Sequence, residues 1–254
     1  MKQIQVPKLV MFDLDGTLAE SKQLLTSEMA ALLAQLLTAT RVAVISGGAL
    51  PQFLKQIVAE LPPGTNLTNF YLLPTSGAAL YEYTDGTWKK IYEERISEEE
   101  ARIVEAAMRE AAIETGLIDF SKPAYGERIE YRGAQVTLSA LGQQAPIDEK
   151  KAWDPDHAKR YALRAKISER LPELKFSASM GGATSIDVTK RGIDKAYGIR
   201  KLCERLGILE SEALYIGDEL KAGGNDEVVY KTDVQVRPVE SPVDTMKIII
   251  SFLP

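Results

Sequence analysis

The stretch Leu9–Leu18, LVMFDLDGTL, decides how the rest of the chain is read. With Lys8 ahead of it, it opens as an apolar run of the length of a buried strand. The run ends abruptly in two aspartates one residue apart, Asp13 and Asp15, followed by Gly16 and Thr17. Carboxylates at the mouth of a buried strand repel each other and lose hydration, so a compensating charge has to lie near them.

Outward from this point the first third of the chain alternates. TSEMAALLAQLLT reads as a helix capped by Thr26 or Ser27, RVAVIS as a strand, LPQFLKQIVAEL as a helix and FYLLPTS as a strand. Strands separated by helices of this length predict βαβ units and a parallel sheet. The last quarter resumes the pattern with helix DKAYGIRKLCERLG, strand ALYIGD and a helix near NDEVVYK.

Between these parts the rhythm changes. GAALYEYTDGTWKKIYEE is two alternating runs around Asp85-Gly86, the signal of a β-hairpin. SEEEARIVEAAMREAAIETG is a long helix with Ser97 as cap, Glu100 completing a capping box and Gly116 as its stop. RIEYRGAQVTLSAL alternates with period two, and DPDHAKRYALRAKISERL is a second helix, opened by Asp154 and Pro155, with His157 on its solvated face. LKFSAS and TSIDVT complete an antiparallel α+β insert. The expected fold is therefore α/β: a Rossmann-like, three-layer core with a parallel sheet from residues 1–84 and 189–254, carrying an α+β domain with an antiparallel sheet at 85–188. Hinged near residues 82–86 and 188–192, such an insert can close over the carboxyl ends of the core strands, where open α/β sheets bind ligands.

Composition narrows the chemistry. A formal net charge of -5, with no block of Lys or Arg, gives no field for nucleic acid. The apolar stretches fall short of a membrane span. MKQIQVPKLVMF lacks the apolar core and cleavage site of a signal peptide. The single cysteine, Cys203, reads as a helix core residue and suits a reducing cytoplasm. One histidine and one cysteine exclude a His/Cys zinc cluster within the chain. Catalysis has to rest on carboxylates, lysines, hydroxyls and a hard metal ion.

Four fragments fall at strand ends or helix starts on the side where a ligand is expected: Asp13-Leu14-Asp15-Gly16-Thr17, Ser46-Gly47-Gly48, Lys195 in GIDKAYG, and GDELKAGGNDE with Asp218, Asn225 and Asp226. Converging carboxylates need a cation, and an all-oxygen set suits Mg²⁺ together with substrate phosphate oxygens. Lys195 and Ser46 would face the same phosphate. With the phosphate charge neutralised, Asp13 can attack phosphorus and form an aspartyl-phosphate. Asp15 can protonate the leaving oxygen and then activate the next acceptor.

FDLDGTL, ISGG, GIDK and GDELKAGGND resemble the four ordered motifs of the haloacid dehalogenase superfamily, and the large insert resembles its type IIB (C2B-capped) members. Within those, GGATSIDVTKRGIDKAYGIRKL and the GGND segment are most similar to the eukaryotic-type phosphomannomutases, with RIEYRGAQVTLSALG as a weaker match in the insert. The resemblance makes Asp13 the phosphorylated nucleophile and Asp15 the general acid/base. It makes Asp13, Asp218 and the backbone carbonyl of Asp15 the magnesium ligands. Lys195, Ser46 and Gly47 fall at phosphate-contacting positions. In the cap, Arg132 matches an arginine that holds the distal phosphate, and Ser185 and Asp187 match residues contacting sugar hydroxyls. It also implies a hexose phosphate substrate and a homodimer formed through the cap.

The departures from that pattern are as informative. Lys22, Gln143 and Lys150 stand where the mutases place further arginines. Lysine cannot reproduce bidentate phosphate contacts, and glutamine carries no charge. A weaker grip on the distal phosphate favours escape or hydrolysis over reorientation of a bisphosphate intermediate. The expectation is thus a Mg²⁺-dependent phosphohydrolase or phosphotransferase on a sugar phosphate, with phosphomannomutase as the alternative. A non-catalytic phosphosugar-binding protein is disfavoured because every catalytic position is filled.

Overall fold

The computed structural model describes residues 6–172 and 174–253. In chain order it begins β1 (Leu9–Phe12), α1 (Ser27–Ala39), β2 (Arg41–Ile45), α2 (Leu50–Gln56), β3 (Phe70–Leu73), β4 (Ala79–Thr84) and β5 (Thr87–Glu93). It continues α3 (Glu98–Thr115), β6 (Ile129–Tyr131), β7 (Gln135–Ser139), α4 (Ile147–Trp153), α5 (Ala158–Arg170), β8 (Phe176–Met180) and β9 (Ser185–Lys190). It ends with α6 (Lys195–Leu206), β10 (Ala213–Gly217), β11 (Gln235–Pro238) and α7 (Pro242–Phe252). None of the described helices is long and apolar enough to cross a membrane.

The chain divides into two compact units, residues 1–93 with 194–254, and residues 94–193. The first holds a sheet ordered β11-β10-β1-β2-β3-β4-β5. Its first five strands are parallel, and β4 and β5 add an antiparallel edge. Both faces are covered, which is why β1 reads as continuous apolar sequence instead of alternating. Val10, Phe12, Val42 and Val44 pack with Met29, Leu33, Phe53 and Ile249 from α1, α2 and α7. Their neighbours Leu9, Met11, Ala43 and Ile45 pack on the other face with Ile199, Leu202 and Cys203 of α6. The expected three-layer α/β core is therefore present, and Cys203 is the buried core residue that the sequence predicts.

Local signals hold where the chain supplies its own hydrogen bonds. Thr26 caps α1, accepting from the Met29 amide at 3.2 Å. Ser97 and Glu100 form the capping box of α3, and Gly116 ends it at φ 64°. Asp85 and Gly86 turn the β4–β5 hairpin with φ of 52° and 76°, the left-handed pair that a two-residue hairpin requires.

The hairpin's place differs from expectation. It was expected at the start of the insert, but β4 pairs with β3 and extends the core sheet. The units accordingly part at 93/94 and 193/194, not at 84/85 and 188/189. Hairpin periodicity is local and cannot say which sheet receives the edge. The second unit carries the four-stranded antiparallel sheet β6-β7-β9-β8. Val136, Leu138, Ile186 and Val188 turn one face of it onto Val104, Met108, Leu163 and Ile167 of α3 and α5.

The start of α5 also differs. Asp154 lies outside the helix, and its carboxylate accepts from the amides of Lys159 at 2.8 Å and Arg160 at 3.2 Å. His157 therefore precedes α5, with φ 65°, and is not on its solvated face. Likewise α2 ends at Gln56, where a short 3₁₀ turn takes over at Val58.

Candidate active site

Three neighbouring parallel strands deliver the site. Asp13 follows β1, Ser46 follows β2 and Asp218 follows β10, all at carboxyl ends. The Asp13 amide donates to the Ile216 carbonyl at 3.0 Å, which fixes the loop after β1 to β10. Lys195 opens α6, whose cap Asp194 accepts from the Tyr197 amide at 2.9 Å. From there the Lys195 ammonium donates to Asp13 Oδ1 and to Asp226 Oδ1, each at 2.5 Å.

This is a buried charge cluster: Asp13 is 2 % exposed, Lys195 2 % and Asp226 0 %. Burial opposes the Lys195 charge, but the carboxylates of Asp13 and Asp226 outweigh it and hold the ammonium well above its ordinary range. Asp13 is itself raised well above the ordinary carboxylate range, by burial first and then by the charges of Asp226 and Asp218, against the pull of Lys195. Asp218 is pushed up to about 6 by burial and by Asp226. One ammonium does not balance three carboxylates.

That imbalance tests the metal expectation. Carboxylate oxygens of Asp13, Asp218 and Asp226 lie within 4.8 Å of one another, close enough to share one ion. An all-carboxylate set with excess negative charge is the donor chemistry of Mg²⁺. The residues fit.

The loop after Asp13 is shaped by that cluster. Gly16 has φ 92°, and a Cβ there would run into the Asp218 carboxylate. Thr17 donates its hydroxyl to Asp218 Oδ1 at 3.0 Å, tying the first motif to the last. Asp15 Oδ1 accepts from the Lys22 amide at 2.6 Å. Lys22 takes a left-handed backbone, φ 58°.

Sequence reading missed part of this arrangement. Asp226, one of the acidic residues of GDELKAGGNDE, is the second anchor of Lys195. Tyr215 was read only as strand, yet its hydroxyl donates to Asp226 Oδ1 at 2.6 Å and stands 3.3 Å from the Lys195 ammonium. Its alternation with Leu214 and Ile216 on β10 was the available signal, since it placed a hydroxyl on the α6 face.

The second unit gathers the remaining candidates. Ser185 and Asp187 share one face of β9, opposite Ser139 and Thr137 of β7. Asp187 Oδ1 accepts from Thr137 at 2.8 Å, and Thr137 accepts from Gln135 at the same distance. Neither Gln135 nor Thr137 was singled out in the sequence. Arg132 grips Glu130 Oε2 through Nε at 2.9 Å and a terminal nitrogen at 2.6 Å, and reaches Gln143 Oε1 at 3.2 Å. The Lys150 ammonium donates to the Gln143 carbonyl at 3.1 Å. Gln143 thus meets both Arg132 and Lys150.

Against known proteins, the family model of eukaryotic phosphomannomutases matches residues 29–253. The chain belongs to that family. Phosphomannomutase from Glycine max is 29% identical over 246 residues, covering 94% of this chain and 93% of the relative. The Saccharomyces cerevisiae phosphomannomutase is 28% identical over 247 residues, covering 95% and 92%. Among solved structures, an IMP-nucleotidase of Plasmodium falciparum superposes with a TM-score of 0.69 at 15% identity, covering 98% of this chain and 69% of that one. A Streptococcus mutans protein gives 0.64 at 14% identity, covering 97% and 99%. These two likenesses concern the fold alone. As a member of the phosphomannomutase family, the chain is an enzyme of the haloacid dehalogenase superfamily, a phosphotransferase by class.

Proposed function

We propose that this enzyme transfers the phosphoryl group of a hexose phosphate through a phosphorylated Asp13, and that water is its favoured final acceptor. The observation that carries the first part is the buried Lys195 bridge between Asp13 and Asp226. It holds the nucleophile in one orientation and keeps a cation beside the place an incoming phosphate oxygen would occupy. Asp13 and Asp218 would hold Mg²⁺, with the carbonyl of Asp15, and the ion would neutralise phosphate charge so that a carboxylate can approach phosphorus. Asp15, fixed by the Lys22 amide, would protonate the leaving oxygen and then take a proton from the acceptor. Ser46 and Gly47 would add donors to the transferring phosphate. A cytoplasmic location and a dimer formed through the second unit remain part of this reading.

Water as acceptor is supported by Gln143. The family resemblance calls for a further arginine there, and the side chain present is a neutral amide that already accepts from Arg132. Retaining a bisphosphate that must present either phosphate demands a strong distal anion site, and a glutamine supplies none of its charge. Family membership favours the second reading, phosphomannomutase activity, which uses the same Asp13 chemistry.

The deciding experiment supplies Mg²⁺ and mannose 1-phosphate, with and without a hexose bisphosphate, and follows both inorganic phosphate and mannose 6-phosphate. Phosphate release without isomer formation is expected. Bisphosphate-dependent isomer formation without phosphate release would establish the mutase instead. Gln143→Arg should raise the mutase-to-hydrolase ratio by about tenfold, the worth of one charge-assisted hydrogen bond. An unchanged ratio removes Gln143 from the explanation.

Metal binding should show a definite pH dependence. Because Asp218 is raised to about 6, the folded chain binds more protons there than the unfolded chain from about pH 4 to about pH 6. Without metal, stability is therefore lost as pH rises through that window. Mg²⁺ competes with those protons, so the rise in melting temperature on adding it should be larger at about pH 7.5 than at about pH 5. Equal shifts at both values would count against the carboxylate site.

A further inference from the structure

Arg160 and Asp154 form an ion pair in the second unit that the chemistry above leaves unused. Both residues are buried, and Arg160 Nε donates to Asp154 Oδ2 at 2.8 Å. Asp154 also accepts from the amides of Lys159 and Arg160 at the start of α5. Burial opposes the Asp154 charge, but these hydrogen bonds outweigh it and hold the carboxyl below its ordinary range. Taking two charges out of water is costly, and a well-packed apolar pair stabilises a fold as well as such a bridge does. What an apolar pair cannot do is donate hydrogen bonds to a third group.

Here the third group is the turn between β8 and β9. Arg160 Nη1 donates to the Gly182 carbonyl at 2.9 Å and to the Gly181 carbonyl at 3.3 Å. Two consecutive glycines give this turn wide backbone freedom and no side chain to anchor it, so hydrogen bonds have to fix its place. The Gly182 carbonyl also accepts from the Ser185 amide at 3.0 Å, and the Gly181 amide donates to the Ser185 carbonyl at 2.8 Å. At its far end the Thr184 carbonyl accepts from the Ala140 amide at 3.0 Å.

The turn lies against two of the candidate binding residues. A Cβ on Gly181 would meet Asp187 Oδ2 at 2.8 Å and the Ser185 Cβ at 3.0 Å. The other carboxylate oxygen of Asp187 accepts from Thr137 on β7. Asp187 is thus set by β7 on one side and by the turn on the other, and Arg160 reaches that turn from α5.

We propose that Arg160, oriented by Asp154, is a positioning residue for substrate recognition: it pins the 181–184 turn and so holds Ser185 and Asp187 in place to bind hydroxyls of a sugar phosphate. The recognition role rests on the hexose phosphate reading above; the pinning of the turn does not. Arg160 acts through the turn and needs no contact with substrate.

Two variants test it. Arg160→Lys keeps a cation for Asp154, but one ammonium cannot reproduce the guanidinium's fork across Asp154 and the two carbonyls. The double variant Asp154→Asn/Arg160→Met removes both charges together, so no unpaired ion is left buried. In ¹⁵N-labelled protein of either variant, hydrogen exchange at the Ser185 amide should accelerate about tenfold, the worth of one charge-assisted hydrogen bond, while amides of α3 keep their rates. Unchanged exchange at Ser185 in both variants overturns the pinning. Equal acceleration throughout the second unit reports general loosening and overturns it too.

Turnover of mannose 1-phosphate with Mg²⁺ tests recognition. KM should rise about tenfold in both variants, with kcat within about twofold of the wild type. A KM within about twofold of the wild type, whatever happens to kcat, makes the pair purely structural and overturns the recognition role. Absence of turnover by the wild-type enzyme overturns the hexose phosphate reading and the recognition role with it. Exchange at Ser185 needs no substrate, so it decides the pinning in either case.

Discussion

Asp13→Asn is expected to abolish phosphoryl transfer, by at least about 10⁴-fold in kcat, whether the acceptor is water or a sugar. The amide keeps the shape of the side chain and can still accept from Lys195, so the loop should hold its place. What it loses is the oxygen proposed to attack phosphorus, and no other carboxylate stands in its position after β1. The stability of the variant should move the other way. Asp13 is buried among Asp218 and Asp226 with one ammonium between them, and its own carboxyl is raised well above the ordinary range. Removing one of three clustered carboxylates relieves repulsion, so the melting temperature without Mg²⁺ should be equal or higher. Such opposition of activity and stability marks a site arranged for chemistry. A variant retaining more than about one percent of turnover would refute nucleophilic catalysis by this residue.

The second large effect is Lys195→Met. The side chain is similar in length, and 2 % exposure leaves no room for water to take the ammonium's place. Asp13 and Asp226 would then be buried facing each other, with Tyr215 donating to only one of them. Breaking a buried ion pair from one side costs about 3–5 kcal/mol, which for a chain of this size lowers the melting temperature by roughly 10 °C. Turnover should fall with it, by roughly 10³-fold, since the cation proposed to face the phosphate is gone.

The pH dependence gives the signature. With the ammonium removed, the raised carboxyl of Asp13 has nothing to pull it down. The folded variant then binds protons that the unfolded chain releases, and its stability is lost as pH rises above the ordinary carboxylate range. The deficit should be small at about pH 5 and full at about pH 7.5. A deficit independent of pH would mean that Lys195 acts by packing alone.

Much of this site was legible in the chain because its parts are tied to local patterns. LVMFDLD is apolar until the strand ends, so Asp13 had to emerge at a strand mouth. GIDK carries its own helix cap in Asp194, so Lys195 had to open α6. RVAVIS and ALYIGD place Ser46 and Asp218 by the same logic. What stayed hidden depended on which faces meet. Tyr215 looks like a strand aromatic until α6 is laid against β10, when its hydroxyl finds Asp226. Thr137 and Gln135 look like surface positions of an alternating strand until β9 sets Asp187 opposite Thr137 and Thr189 opposite Gln135.

The sequence by itself determined the element types, the caps, the order of the motifs and the carboxylate-lysine character of the chemistry, because each is written in neighbours a few residues apart. Tertiary structure alone decided that the 79–93 hairpin extends the core sheet, that Asp226 anchors Lys195, and that Gln143 meets both Arg132 and Lys150. The first depends on which strand edge is open, and the second joins residues 31 positions apart. Periodicity carries neither kind of information. The ten residues that open the reading place two carboxylates at a strand end, but the charge that makes them tolerable comes from the start of α6, 182 residues away.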